Sequence, residues 1–360
     1  MSRYEHNPDD PIPKDLYDLV KALPNYVRDV TDFKCEKEIG RGGFGVVWLG
    51  TDLKTGKRVA VKEFLSSKLS RAEMLHYIRE IYTLAVAKTK YIVELIGFTV
   101  KNPYTIITKY EENGQLSKYL KHRHQDANLS GSKLTITAIC IASALMNFEK
   151  LKIIHRDLKS SNILMNEEML PIICDFGTAK ILYPNCPLTR RIGTINYMPP
   201  EVLATNNYNI KADVYGFGMV IYEMAELKVP YAEFKREELL ETLPSNSVSL
   251  EFKRSSKEMR NFILACTNFD VDQRPTITEC YQTFASGKLA FPGSKKKKVQ
   301  KMLDIVQKEI DHNWSSSKPQ PQVCVNIPQT LQMLEEQRQQ ENNEPESTKP
   351  FFHSTSEGDL

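Results

Sequence analysis

Apolar positions along the chain fall into blocks of different period. Near the start, Leu16, Leu19, Val20 and Leu23 recur at i, i+3, i+4 and i+7, and Pro24 ends the run. This predicts one short helix, too short to hold alone, that packs on the domain after it. Within residues 33–108, Val46-Val47-Trp48-Leu49, Val59-Ala60-Val61 and Tyr104-Thr105-Ile106-Ile107 have the pattern of short strands. A helical period interrupts them around Ala72–Ala87. Residues 116–290 read as mostly helical, with short strands near Ile163-Leu164 and Ile172-Ile173-Cys174. Strands first and helices later predict an α+β chain with two lobes. The longest apolar stretch, Leu134–Phe148, is interrupted by Thr135, Thr137 and Ser143. It falls short of the ~20 residues that span a bilayer, so a buried core helix is expected and no transmembrane segment.

After Pro292-Gly293 the composition changes. Lys295–Lys298 is a basic run, and Val299, Met302, Leu303, Val306 and Ile310 come next at helical spacing. That stripe suits docking either on the preceding domain or on a partner. Beyond Trp314 the chain is rich in Gln, Glu, Asn, Pro and Ser, too polar to offset its ordering entropy. The expected division is an N-terminal extension (1–32), a domain (33–290) and a largely disordered tail (291–360). The domain comprises an N-lobe (33–108), a hinge (109–115) and a C-lobe (116–290).

Composition adds exclusions. Of 360 residues, 41% are hydrophobic and 26% charged, as in an ordinary soluble domain. The formal net charge of +3 is too small to point to nucleic acid or membrane. Seven cysteines, an odd count without CxxC spacing, indicate neither a disulfide framework nor a zinc site. Reduced thiols fit a cytoplasmic location, with nuclear entry left open by the lysine run. The polar stretch Met1–Pro13 does not read as a secretory signal, and Ser2 excludes N-myristoylation.

Four motifs carry candidate chemistry. Ile39-Gly40-Arg41-Gly42-Gly43-Phe44-Gly45-Val46-Val47 is a GxGxxGxV loop, whose glycines let backbone amides approach phosphates. Alone it also suits a dinucleotide fold or a plain hairpin; the strand-like residues directly after it favour a hairpin lid. Val59-Ala60-Val61-Lys62 ends a strand on one compact charge, for which Glu80 on the expected helix is the natural partner. His155-Arg156-Asp157-Leu158-Lys159-Ser160-Ser161-Asn162 and Asp175-Phe176-Gly177 supply hard oxygen donors suited to Mg²⁺. An isolated Asp-Phe-Gly is a common turn, but the two in this order are very specific.

In this combination the sequence resembles the eukaryotic protein kinases, over about residues 33–290. The resemblance continues through Gly193-Thr194-Ile195-Asn196-Tyr197-Met198-Pro199-Pro200-Glu201, Asp213-Val214-Tyr215-Gly216-Phe217-Gly218 and Asp272-Gln273-Arg274-Pro275. Its wording, with Glu111-Glu112-Asn113-Gly114-Gln115-Leu116, is similar to the tyrosine-kinase-like group of serine/threonine kinases. The implied fold is bilobal, with a β-rich N-lobe and a mostly helical C-lobe.

The implied activity is transfer of the γ-phosphate of Mg·ATP to serine or threonine hydroxyls of proteins. Under it, residues Ile39 to Val47 and Ala60 cover ATP, and Lys62, paired with Glu80, binds the α- and β-phosphates. Asn162 and Asp175 hold Mg²⁺; Asp157 takes the hydroxyl proton; Lys159 stabilises charge on the moving phosphoryl group. Adenine sits on Leu164 and bonds hinge backbone at Lys109 and Glu111, with a small gatekeeper, Thr108. Lys159 and the Gly193-Thr194 pair match the serine/threonine pattern. A dual-specificity kinase, a pseudokinase scaffold and a small-molecule kinase are the alternatives. Thr189 is the candidate activation-loop phosphosite, with Arg156 as its phosphate partner. Two departures stand out: Pro199 where the family usually has Ala, and Lys109 for a frequent acidic hinge residue.

Overall fold

Five of the strands form one antiparallel sheet, and most of the helices lie after it in the chain. The structure is a computed structural model that describes residues 11–43, 45–122, 129–182, 193–205, 208–315, 330–334 and 336–337. A short helix α1 (Tyr17–Ala22) precedes β1 (Phe33–Gly42), β2 (Gly45–Asp52), β3 (Arg58–Phe64), α2 (Arg71–Val86), β4 (Leu95–Phe98) and β5 (Thr105–Lys109). Then come α3 (Leu116–His122), α4 (Gly131–Lys150) and the short strands β6 (Ile153–Ile154), β7 (Ile163–Met165), β8 (Pro171–Ile173) and β9 (Lys180–Ile181). The chain continues with α5 (Pro200–Thr205), α6 (Lys211–Glu226), α7 (Arg236–Thr242), α8 (Lys257–Cys266), α9 (Ile277–Ala285) and α10 (Lys296–Ser315). This is the bilobal α+β architecture expected from the sequence.

The sheet runs in the order β1-β2-β3-β5-β4. Its two faces follow the period-2 alternation of strands. Val59, Val61 and Ile107 join Phe33 in a small cluster on one face, while Phe64 and Ile106 belong to the main core with α2. β1 exposes nearly all its residues and buries only Phe33, so no hydrophobic alternation marks it in the sequence. A capping box starts α2: the Ser70 hydroxyl accepts from the Glu73 amide, and Glu73 Oε2 accepts from the Ser70 amide at 2.8 Å. From Met74 to Leu84 every residue of α2 is buried, because the helix is wedged between sheet and C-lobe.

The C-lobe is built around α4 and α6. The apolar stretch singled out in the sequence is the 20-residue helix α4, nearly all of it buried. By length and composition it could cross a bilayer, but the surrounding elements of the domain cover it. Arg274, wholly shielded, makes a two-pronged ion pair with Glu201 at 2.8 and 2.7 Å. The departure at Pro199, the residue just before α5, costs the fold little. Pro200 occupies the first position of α5, where a helix has no use for an amide hydrogen, and the Pro199 carbonyl accepts from Val202 and Leu203.

Both chain ends differ from a plain domain with loose tails. Leu16 and Leu19 of the N-terminal stripe are buried in the main core, as their spacing predicts. The expectation that 291–360 is largely disordered fails over Lys296–Ser315, which is α10. Its stripe, left open between the domain and a partner, packs on α4: Val299, Met302, Leu303 and Val306 are buried in the same core. The path to it is fixed by hydrogen bonds to the start of α4. The Phe291 amide donates to Thr135 Oγ1 (2.9 Å) and the Lys295 amide to Ser132 Oγ (2.8 Å). Farther on, a helical segment from Thr330 buries Leu331 and Leu334, and Thr330 Oγ1 donates to Asp18 Oδ2 at 3.0 Å. Composition misses this because a few leucines suffice when another part of the chain supplies the complementary surface.

Replacing Glu201 by Ala strands the Arg274 guanidinium, and a buried charge robbed of its partner typically costs ~3–5 kcal/mol. Urea unfolding of Glu201→Ala is expected to show a loss of that order, largely recovered in Glu201→Ala/Arg274→Met. An unchanged midpoint in the single variant would contradict the assignment.

Candidate active site

The strand register assembles the roof of the interlobe cleft. Val47 lies opposite Lys62, which lies opposite Ile106; Leu49, Ala60 and Thr108 form the next row. Val47, Ala60, Lys62 and Thr108 are all partly exposed, as cleft-lining groups must be. Ile39, Gly40, Arg41 and Gly42 lie on β1, and Gly45, Val46 and Val47 on β2, with Gly43 between; Phe44 falls outside the described residues. Gly45 is dictated by packing as well as by any ligand: a Cβ there would meet the Glu63 carbonyl oxygen of β3 at 2.0 Å. Arg41 instead bends back to Glu38 (2.7 Å).

Lys62 Nζ lies 2.7 Å from Glu80 Oε2 on α2 and 3.3 Å from Asp175 Oδ1. Burial alone would push the ammonium down; the two carboxylates outweigh it, so its pKa lies above the usual lysine value. For Asp175 burial pushes upward, but Lys62 prevails and holds the carboxyl below its ordinary value. Burial keeps Glu80 raised in spite of Lys62. The Asp175 side chain remains 46% exposed, open to a ligand in the cleft.

Below, the loop after β6 gathers a second cluster. Asp157 Oδ1 accepts from the Thr194 amide (2.9 Å); Oδ2 accepts from Lys159 Nζ (2.7 Å) and Asn162 Nδ2 (3.0 Å). Lys159 Nζ also donates to Thr194 Oγ1 at 2.7 Å. Asn162 Nδ2 further donates to the Asp157 carbonyl (2.8 Å), which leaves Oδ1 of Asn162 as its ligand atom. The backbone here is strained: Arg156 and Asp175 have φ of 68° and 63°, a region that non-glycine residues rarely adopt. Asp213 of α6 holds that strain in place, accepting from the amides of His155 (2.7 Å) and Arg156 (3.1 Å). His155 ties the two motifs together. Its Nδ1 accepts from the Asp157 amide (3.3 Å), so Nε2 carries the hydrogen donated to the Cys174 carbonyl (3.1 Å).

At the hinge, the Lys109 amide is taken by the Glu94 carbonyl (2.9 Å), and Lys109 Nζ pairs with the Glu111 carboxylate at 3.2 Å. The acidic partner of this unusual lysine is thus its own neighbour. Leu164 sits on β7, bridged to Gln115 just past the hinge. Thr189 lies outside the described residues. Arg156, its expected partner, has Nε donating to the Thr178 carbonyl and its guanidinium 5.1 Å from the Tyr208 ring centroid.

Two residues escape a reading of the sequence. Asp213 is visible there only as part of a helix motif, although a carboxylate opening an apolar helix is a usable signal. His76 gives none. It is buried on α2, one turn before Glu80, and its Nδ1 lies 2.5 Å from the Gly177 carbonyl. A carbonyl only accepts, so Nδ1 must carry the hydrogen.

One carboxylate, one amide oxygen and a lysine beside them do not make a protein cage for a metal. Among the described residues there is no cluster of three or more His, Cys, Asp or Glu side chains able to hold an ion. The set fits a divalent cation that takes one or two protein oxygens and the rest from phosphates and water, as Mg²⁺ does.

A β-rich lobe thus closes a charged cleft over a strained, carboxylate-bearing loop. The chain belongs to the protein kinase family: residues 33–286 match the protein kinase domain. It is 33% identical over 278 residues to a probable LRR receptor-like serine/threonine-protein kinase of Arabidopsis thaliana, covering 70% of this chain and 27% of that protein. A putative serine/threonine-protein kinase/receptor of Acanthamoeba polyphaga mimivirus is 32% identical over 251 residues, 68% of this chain and 15% of its own length. Serine/threonine-protein kinase Nek8 of Danio rerio is 29% identical over 279 residues, 75% of this chain and 40% of its own length. All three extend far beyond the matched region.

The His76 contact predicts a kinetic signature. His76→Leu leaves the Gly177 carbonyl unsatisfied and is expected to weaken Mg·ADP binding roughly 10-fold. His76→Asn, whose amide keeps a donor near the position of Nδ1, is expected to retain most of it. Titration calorimetry reads both; equal affinities in the two variants would show that the bond does not matter.

Proposed function

We propose that this chain is an active serine/threonine protein kinase of the tyrosine-kinase-like group, using Mg·ATP. The observation that carries the reading is the cross-link around Asp157, whose carboxylate is held by the Thr194 amide and by Lys159, itself bonded to the Thr194 hydroxyl. It draws the residues that would receive a protein substrate against the candidate base. Lys159 and Thr194, which with Gly193 support serine or threonine over tyrosine, are the residues that make this cross-link. The group assignment rests on the wording of residues 111–116, 197–201 and 213–218.

ATP bound with a divalent cation supplies the phosphoryl group and the counter-charge. The remaining tasks fall to side chains of this protein. Lys62, kept charged by Glu80 and Asp175, binds phosphate oxygens. Asp175 and Asn162 Oδ1 hold the cation. Asp157 would exchange one of its present donors for the substrate hydroxyl, orient that oxygen and take its proton as the new O–P bond forms and the bond between the γ-phosphorus and the β–γ bridging oxygen breaks, with ADP as the leaving group. Lys159, already 2.7 Å from Asp157, offsets charge on the transferred group. The intact ion-paired cluster supports an active enzyme over a scaffold without catalysis. Phosphorylation of Thr189 belongs to the same proposal, motivated by its spacing from Thr194.

Incubation with labelled ATP, Mg²⁺ and a generic protein substrate is expected to give phosphoserine and phosphothreonine. Asp157→Asn should lower the rate by ~10²–10⁴-fold, the usual worth of a positioned base. Equal incorporation by both forms would refute the mechanism, and phosphotyrosine among the products would refute strict serine/threonine specificity. Phosphopeptide mapping tests the regulatory part: fully active protein with an unmodified Thr189 would end it.

A further inference from the structure

The loop between α2 and β4, residues 87–94, touches three separate parts of the candidate site. Its first residue caps α2, the Ala87 amide donating to the Thr83 carbonyl (2.9 Å) one turn beyond Glu80. Its middle pairs with β8: the Ile173 amide donates to the Tyr91 carbonyl (2.8 Å), and the Val93 amide to the Ile173 carbonyl (3.0 Å). Ile173 stands two residues before Asp175. At its end, the Glu94 carbonyl accepts the hinge amide of Lys109 (2.9 Å). A shift of this loop therefore moves Glu80, Asp175 and the hinge together.

Segments outside the family-matched region grip this loop from two sides. From α10, Glu309 Oε1 accepts the Lys90 amide at 2.7 Å. From the N-terminal extension, Tyr26 accepts a hydrogen bond from Lys88 Nζ, which also sits 4.9 Å from the centre of its ring. The two ends meet each other through Thr330 and Asp18. Glu309 is half-buried, and its Oε2 is shielded from solvent with no hydrogen-bond partner among the described residues. An apolar side chain at that place would bury more cheaply. What the carboxylate adds is a directional bond to one amide of the loop.

We propose that Glu309 is a positioning residue of the kinase site, acting through the Lys90 amide and loop 87–94 on Glu80 and Asp175. The C-terminal helix is thereby part of the catalytic unit. This inference rests on the kinase reading, but its physical link is testable without activity.

The experiment uses the full chain with Glu309→Leu, Glu309→Ala and Glu309→Gln. Leu and Ala remove the acceptor; Gln keeps an oxygen for the Lys90 amide. Steady-state kinetics should show kcat/KM for Mg·ATP falling roughly 5-fold in Leu and Ala, within the range of coupling through a packed network. Gln should stay close to the parent. Amide hydrogen exchange should rise in peptides covering 87–94 and 171–175 in Leu and Ala, and not in α9. Should Leu misfold, Ala, which leaves room for water in place of the carboxylate, decides. Unchanged exchange at 171–175 in the Ala variant, or a Gln variant as impaired as Ala, would overturn the proposal. A parent protein without transferase activity would refute the kinase reading while the exchange arm still tested the link.

Discussion

A lysine ammonium taken out of water must find a carboxylate, and here the carboxylate is on a different element. Lys62 lies within β3, Glu80 lies mid-helix, and their contact at 2.7 Å holds α2 against the sheet. Much else depends on that constraint. α2 has to be buried on all sides from Met74 to Leu84, since one side meets the sheet and another the C-lobe. Phe64, at the end of the lysine strand, packs edge-on against Tyr77 of α2, so an apolar contact backs the ionic one. The pair is also what leaves Lys62 charged and Asp175 ionised in a partly buried cleft.

The lower half of the site shows how strain is carried. Two non-glycine residues with positive φ flank the chemistry, Arg156 and Asp175, and neither conformation would persist in a free peptide. Asp213 holds the first by binding two successive amides from below. The second lies between Cys174, whose amide is tied to the Asn162 carbonyl, and Phe176, buried against His155 and Phe148. The aromatic cluster fixes the backbone and the carboxylate is left facing the cleft. Rigid support beneath an exposed functional group is what catalysis by positioning requires.

The chain ends extend this support beyond the family-matched residues 33–286. α10 covers α4, a helix too apolar to be left to solvent, and the Thr330 segment joins α1. Stability and site geometry share these contacts, because the loop they reach is the one that spaces α2 from β8.

Much of the site was legible from sequence alone. Lys62, Asp157, Asn162 and Asp175 stand in motifs that single them out, and the fold brings them to one cleft; Glu80 is implied by the need for a partner on the next helix. The lobes were legible because strand and helix periods differ. Other features had no local signature. β1 is exposed along almost its whole length; His76 reads as an ordinary helix residue until Gly177 is placed beside it; Gly45 answers to a carbonyl on another strand. The stripe of α10 allowed two destinations, and only the bare face of α4 chose between them. Local pattern and functional-group chemistry are written in neighbouring residues and could be read directly. Partnerships between residues a hundred or more positions apart, such as His76 with Gly177 or Glu309 with Lys90, exist only once packing has brought their elements together.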